Sequence, residues 1–379
     1  MKTRIPVIVT LLLPLLLVSC TSNTKPLKDD AVPDPFDQAK QLGKGVNLGN
    51  ALEAPTEGAW GLTLQESYFG LIADGGFDTV RVPIKWSAHA SAEPPYTIDE
   101  TFAKRVDWVL DQAESQGLNA VINMHHYDEI FESPDEHQVR FLRIWEQLAQ
   151  RYRDRPLSVY FEPLNEPHGN LTAAAWNDLL AEAVKTIRSI DERHTLIIGT
   201  SEWGGIGGLQ ALQVPEEEKN AIVTFHYYEP FLFTHQGAEW GGNETNTTGL
   251  TWPGPPSSQV QANEAANQVP WVHRWFEDYN TQPPEYNPAS REKVMQDLDK
   301  AAAWGQENNR PLWLGEFGAY SKADIDSRLR WTEFVRSEAE KRNITWAYWE
   351  FGAGFGVYNR ERAQWNRDLL QVLVGGAED

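Results

Sequence analysis

Val159-Tyr160-Phe161-Glu162-Pro163-Leu164-Asn165-Glu166-Pro167 is the stretch from which the rest of the chain can be read. It begins as an apolar, aromatic run of the kind that fills buried strands, and it stops abruptly at Asn-Glu-Pro. Pro167 lacks a backbone donor, so the strand cannot continue, and it biases Glu166 toward extended geometry. The expected result is a carboxylate at the carboxyl end of a buried strand, with an amide side chain beside it.

On both sides of this stretch, strand-like runs alternate with amphipathic helical ones. The strands are expected at 45–50, 77–83, 118–124, 157–164, 195–200, 221–228, 311–316 and 344–349. Helices are expected at 62–73, 99–116, 136–152, 172–190, 291–307, 323–341 and 366–373. The second of these carries Phe102, Val106, Val109, Leu110 and Ala113 on one face and stops at Gly117. Thr172 is the expected cap of the helix after the fourth strand. Residues 229–290 are rich in Gly, Pro, Asn and Trp and are expected as one long functional loop after strand six.

The chain has 379 residues, 41% of them hydrophobic, enough for one large α/β barrel or two medium domains. Eight alternating units favour a single (β/α)8 TIM barrel over 37–379. A doubly wound sheet is the alternative. No Gly-rich phosphate fingerprint follows the first strand, which weakens that alternative. A net charge of −21 argues against nucleic acid, which needs clustered Lys and Arg. Sixteen Trp, twelve Tyr and fifteen Phe exceed what a core of ordinary aromatic content needs. Most pack the core; several are expected as platforms for sugar rings, whose C–H faces meet aromatic faces well.

The one cysteine, Cys20, ends an apolar run from Ile5 to Val18 that follows Lys2 and Arg4. This is a leader pattern, too short for a membrane-spanning helix. Leu17-Val18-Ser19-Cys20 resembles the lipobox of bacterial lipoproteins. An ordinary secretory leader with an incidental cysteine is the alternative. The lipobox reading makes Cys20 a lipidated terminus in the cell envelope. Thr21, rather than Asp, follows the cysteine, which points to the outer membrane. Residues 21–36 read as a flexible tether.

In a barrel, chemistry sits at the carboxyl ends of the strands. Those ends carry Asn50, Arg81, His125-His126, Asn165-Glu166, Ser201-Glu202-Trp203, His226-Tyr227-Tyr228, Glu316 and Trp349-Glu350. Glu166 and Glu316 form the expected pair. Cleavage of a glycosidic bond needs an acid on the leaving oxygen and a second carboxylate on the other face of the sugar. Asn165 is placed to bond a sugar 2-hydroxyl, Tyr228 and Arg81 to keep Glu316 ionised, and His125 and His226 to orient carboxylates or hydroxyls. Trp349 would form a stacking floor. Metal chemistry has one candidate, His125-His126 with Asp128 and Glu129, but adjacent strand residues point to opposite faces. No metal or other cofactor is implied. Ser201 lacks the Gly-x-Ser-x-Gly elbow of serine hydrolases.

These strand ends resemble glycoside hydrolase family five, the cellulase family of retaining (β/α)8 barrels, across 43–373. The resemblance is carried by Gly45-Val46-Asn47-Leu48-Gly49-Asn50, Arg81-Val82-Pro83, Asn123-Met124-His125-His126-Tyr127, Leu164-Asn165-Glu166-Pro167, His226-Tyr227-Tyr228, Gly315-Glu316-Phe317-Gly318 and Trp346-Ala347-Tyr348-Trp349-Glu350-Phe351. It implies Glu166 as acid/base and Glu316 as nucleophile. Arg81, His125, Asn165, His226, Tyr228 and Trp349 match the family's other active-site positions. His126, Asn50 and Glu53 match substrate contacts of the endoglucanase/mannanase subfamily, and Trp203 and Trp240 its sugar cleft. Residues 241–268 depart from that subfamily's pattern. The expected activity is endo-acting hydrolysis of a β-1,4-glucan by a monomer. A β-mannanase or mixed-linkage glucanase would use the same pair, and a non-catalytic glycan-binding lipoprotein is the reading from another class.

Overall fold

Eight short apolar runs become strands: β1 (Lys44–Asn47), β2 (Thr79–Val82), β3 (Asn119–Asn123), β4 (Val159–Glu162), β5 (Leu196–Gly199), β6 (Ala221–Tyr227), β7 (Leu312–Phe317) and β8 (Thr345–Tyr348). They pair in parallel in chain order, and β8 closes onto β1 to make a barrel. The structure is a computed structural model and describes residues 32–375. No helix among these residues is long and apolar enough to cross a membrane. The fold is therefore the single (β/α)8 barrel expected from the pattern.

Side chains alternate along each strand, so every second residue points inward. Val121, Tyr160, Ile197, Ile222, Trp313 and Ala347 fill the lower interior, together with Ala39 and Leu42. Two residues further along, the inward positions change character. Asn123, Glu162 and Thr224 continue β3, β4 and β6, and Asn47 and Arg81 from β1 and β2 are buried at no measurable exposure. The barrel is thus apolar below and polar near its mouth.

Ala39 and Leu42 come from the helix Pro35–Leu42, which plugs the bottom of the barrel. Thr79 Oγ1 donates to Leu42 O at 2.6 Å and Thr345 Oγ1 to Ala39 O at 2.9 Å. This corrects the expected boundary between tether and domain at 36/37. Asp34 caps the helix by accepting from Phe36 N at 2.8 Å, and Pro35 stands at its first turn, where the missing N–H costs nothing. The leader, Cys20 and residues 21–31 of the tether lie outside the described residues.

The outer helices follow the expected pattern closely. Thr172 caps Ala173–Arg188, and the helix Arg291–Glu307 has the expected bounds. The crossover from β5 to β6 carries only the 3-10 turn Ile206–Ala211.

The segment after β6, expected as one long loop, carries regular structure of its own. It contains the helix Pro270–Thr281, which buries Val272, Phe276 and Tyr279. These residues keep a helical spacing of four and three, but the polar residues between them hide it. Gln236 fastens the Asn/Pro-rich part from below. It accepts from Gly249 N and Leu250 N at 2.8 and 3.0 Å and donates to Leu250 O at 3.1 Å.

Candidate active site

Glu316 is aimed by an irregularity in β7. Phe225 pairs with Leu314 and His226 with Glu316, so Gly315 is an extra residue in the ladder. A bulge of this kind redirects the side chain that follows it. Only glycine fits there, because a Cβ would stand 2.5 Å from Thr224 Oγ1. Glu316 then points into the mouth, where Arg81 Nη1 donates to its Oε1 at 2.5 Å and Tyr228 Oη to its Oε2 at 2.9 Å.

Glu166 arrives from the end of β4. Its φ is +46°, the left-handed region, rather than the extended geometry expected before Pro167. Tertiary bonds override the local bias. His226 Nδ1 lies 2.7 Å from Glu166 Oε1, and His168 Nδ1 lies 2.6 Å from Glu166 O. The β5 loop passes directly over this pair at Gly204, where a Cβ would meet His226 Nδ1 at 3.2 Å.

Arg81 connects the two halves. It is fully buried, and Nε and Nη2 make a fork to both oxygens of Glu162 at 2.7 Å. Nη2 also donates to Asn165 Oδ1 at 2.6 Å and Nη1 to Asn47 Oδ1 at 2.9 Å. Asn165 thus gives its oxygen to Arg81 and keeps its amide N–H groups for the mouth.

The electrostatics follow from these contacts. Burial lifts the Glu316 carboxyl above its ordinary value, against the pull of His226 and Arg81. For Glu166, burial is the largest influence, but the His226 hydrogen bond together with the charges of His226, Arg81 and His126 outweighs it, and its pKa is lowered. The two carboxylates in turn hold the His226 imidazole above its ordinary value, although burial opposes them. The hydrogen bond between His226 and Glu166 thus favours a charged imidazolium beside a charged carboxylate. The three groups titrate as a unit.

The other residues named from the sequence surround this centre. His125 is held neutral, well below its ordinary pKa, by burial and by neighbouring His126 and Arg81. Asn123 Nδ2 lies 3.0 Å from its Nδ1, and Asn123 Oδ1 accepts from Ile84 N, which sets the amide's orientation. Nδ1 is therefore an acceptor, and Nε2 carries the proton. The His125 ring stacks with Trp349 at 5.9 Å and 13°, and His126 meets it edge-on at 4.6 Å. Trp203 and Trp240 are 62% and 63% exposed. Trp203 lies flat on His168 at 3.4 Å, and Trp240 stands against Tyr320 at 4.9 Å.

Glu53 departs from its expected role as a sugar contact. It is 1% exposed, and its carboxylate accepts from Asn50 N and from Ala51 N, so it shapes the loop that presents half-buried Asn50. Burial pushes its carboxyl up to about 8. Glu350, beside Trp349, is likewise buried and pushed up to about 7, although Gly352, Ala353 and Phe355 N–H groups favour its charged form.

Glu162, Asn47 and Glu350 were not picked out from the sequence as site residues. For Glu162 a signal existed. Strand alternation that points Tyr160 inward also points Glu162 inward, and a lone acid in an apolar strand needs a buried cation.

Glu166, His226 and Glu316 also offer three ligand atoms within 4.8 Å of one another. Each is already paired, and a cation there would face the guanidinium of Arg81. A cleft of about 810 Å3 opens at the other end of the barrel, lined by Lys40, Asp78, Arg310 and Trp346, and neither glutamate reaches it.

Removing Glu162 leaves Arg81 as a buried charge with one of its two anionic partners gone. Glu162→Ala is expected to lose about 3–5 kcal/mol of unfolding free energy, and the isosteric Glu162→Gln clearly less. Urea unfolding of the three proteins checks this; equal stability of wild type and Glu162→Ala would contradict it.

Comparison with known proteins agrees with the barrel. The first curated relative, Endoglucanase H of Acetivibrio thermocellus, is 33% identical over 347 residues, which is 92% of this chain and 33% of that protein. Endoglucanase 3 of Fibrobacter succinogenes is 28% identical, with 52% of its length covered. The chain thus spans about a third and about half of these two relatives. Endoglucanase C of Acetivibrio thermocellus is 28% identical and is covered over 97% of its length. Among solved structures, Thermotoga maritima Cel5A in complex with cellobiose superposes with a TM-score of 0.80 at 48% identity, covering 90% of this chain and 100% of that one. The same protein in complex with mannotriose gives 0.78 at 48% identity, again covering 90% and 100%. The model of the cellulase family, glycosyl hydrolase family 5, matches residues 41–354, and the chain belongs to that family.

Proposed function

We propose that the chain is a retaining, endo-acting β-1,4-glucanase. The observation that carries this reading is the spacing of the paired carboxylates. One carboxylate oxygen of Glu166 and one of Glu316 lie within 4.8 Å of each other, which supports the shorter of two known separations. Retaining glycosidases hold their carboxyl groups about 5–5.5 Å apart, and inverting ones about 6.5–9.5 Å, to admit a water.

In this mechanism Glu316 attacks the anomeric carbon while Glu166 gives a proton to the leaving glycosidic oxygen. The bond to the leaving sugar breaks and an ester to Glu316 forms. Glu166 then takes a proton from water, the water oxygen attacks the anomeric carbon, and the ester bond breaks with net retention. Arg81 and Tyr228 donate to Glu316 and so favour the anion that attacks first and departs last. His226, 2.7 Å from Glu166, is placed to exchange a proton with it. Asn165 faces the sugar 2-hydroxyl, Trp349 forms the floor under the reacting ring, and Trp203 and Trp240 carry sugars further along the cleft. Cellobiose and mannotriose both bind the Thermotoga maritima relative, which supports mannan as a second substrate of this chain.

The N-terminal pattern supports a place in the bacterial envelope, with Cys20 lipidated and the barrel a tethered monomer. Labelled palmitate is expected to enter the wild-type protein and not Cys20→Ala; equal labelling would sink the anchor.

Glu316→Gln is expected to abolish release of reducing sugar from carboxymethylcellulose, glucomannan, xylan and lichenan while keeping oligosaccharide binding. Near-normal turnover in that variant would remove Glu316 as nucleophile, and a folded wild type inactive on all four would remove the enzyme reading.

The pH profile gives an independent check. Glu316 must be ionised, so kcat/KM falls on the acid side as it gains a proton, and burial places that limb above the range of an exposed glutamate. Tyr228→Phe removes a donor to the anion, which moves the acid limb to higher pH. Glu162→Gln frees the charge of Arg81 for Glu316, which moves the limb to lower pH. Shifts of the same sign in both variants would contradict the network.

A further inference from the structure

We propose that Trp60 forms an additional sugar-binding platform at the β1 side of the barrel mouth, for a pyranose ring of a β-linked oligosaccharide. The inference rests on the glycan-cleft reading above and extends it to a residue that carries no role in it.

Trp60 lies between β1 and β2, and its ring is 45% exposed. It is not isolated. The ring meets the edge of His126 at 5.6 Å and 76°. His126 in turn meets His125, and His125 stacks with Trp349. An unbroken line of rings therefore runs from the residue beside the paired carboxylates to Trp60.

The loop that carries Trp60 is braced. Ala59 N donates to Thr56 O at 3.0 Å, Gly61 N to Gly58 O at 2.9 Å and Gly58 N to Leu62 O at 3.1 Å. Arg360 Nη1 reaches across from beyond β8 to Gly61 O at 2.5 Å. Glu57 accepts from Leu64 N at 2.8 Å and from Arg105 Nε at 2.8 Å. A large apolar ring held exposed on a fixed loop has already lost the freedom that ligand binding would otherwise cost.

Position supplies the class of ligand. In an eight-stranded barrel closed in chain order, β1 and β5 stand opposite each other across the mouth. Trp203 follows β5 and Trp60 follows β1, so the two exposed indoles bracket the carboxylates from opposite sides. A flat ring with an apolar C–H face stacks on each, while the hydroxyls around its rim remain in water. A linear β-linked chain is the ligand that reaches both.

The test compares full-length wild type, Trp60→Ala and Trp60→Phe on cellohexaose and on p-nitrophenyl β-cellobioside. Trp60→Ala is expected to raise KM for the hexaose about three- to tenfold, with kcat and KM on the short substrate unchanged. Trp60→Phe keeps an aromatic face and is expected to retain most of the hexaose affinity. An unchanged ratio of hexaose to short-substrate KM in Trp60→Ala would overturn the platform. So would an equal loss on both substrates, which would mean that Trp60 acts only by supporting His126. A wild type that cleaves neither substrate nor any β-glycan would remove the underlying reading as well, which separates the two failures.

Discussion

A single buried cation holds the mouth of this barrel together. Arg81 has no exposure, yet it meets two glutamates and two asparagines carried by β1, β4 and β7 or their ends. A guanidinium in that position cannot give up its proton, so its surroundings must supply the negative charge. Glu162 supplies it through a planar fork that leaves one edge of Arg81 pointing at Glu316 and one corner at Asn165. The orientation of Glu316 is therefore set in part by a second carboxylate, Glu162, that is itself buried. Strand register sets the rest, because the extra Gly315 turns Glu316 toward this cation.

Much of this was legible in the residues. Strand ends carry polar and aromatic groups that an apolar core would not keep, and Asn165, Glu166, His226, Tyr228 and Glu316 come together as their places in the strand order require. What escaped had physical reasons. Glu162 falls inside the expected strand 157–164, but the cation it needs, Arg81, stands 81 residues earlier and meets it only when the barrel closes. The helix Pro270–Thr281 hides three apolar residues among charged ones in a region whose composition says loop. The conformation of Glu166 depends on His226, which is distant in sequence and unknown until the barrel closes. Glu53 has the look of a ligand contact because acids near a sugar site commonly are; its real partners are backbone N–H groups two and three residues away, which composition cannot reveal.

The polar and apolar halves of the interior divide the labour between chemistry and stability. Below, Tyr160, Ile197, Ile222 and Trp313 pack without charged groups. Above, Asn47, Arg81, Asn123, Glu162 and Glu316 bring amides and charges together. Such a layer is tolerable only when each member has a partner, since an unpaired buried charge costs several kcal/mol. The amides Asn47 and Asn123 serve that need. Asn47 Nδ2 donates to Gly315 O and Tyr348 O, and so it fastens the bulge as well as the cation.

The helix that plugs the barrel floor decides on which side the charged layer opens. Ala39 and Leu42 pack with Tyr160, Ile222 and Trp313, so the amides and carboxylates above that apolar floor face the mouth. A change of volume at Ala39 would therefore disturb the apolar layer first and reach Arg81 only through it.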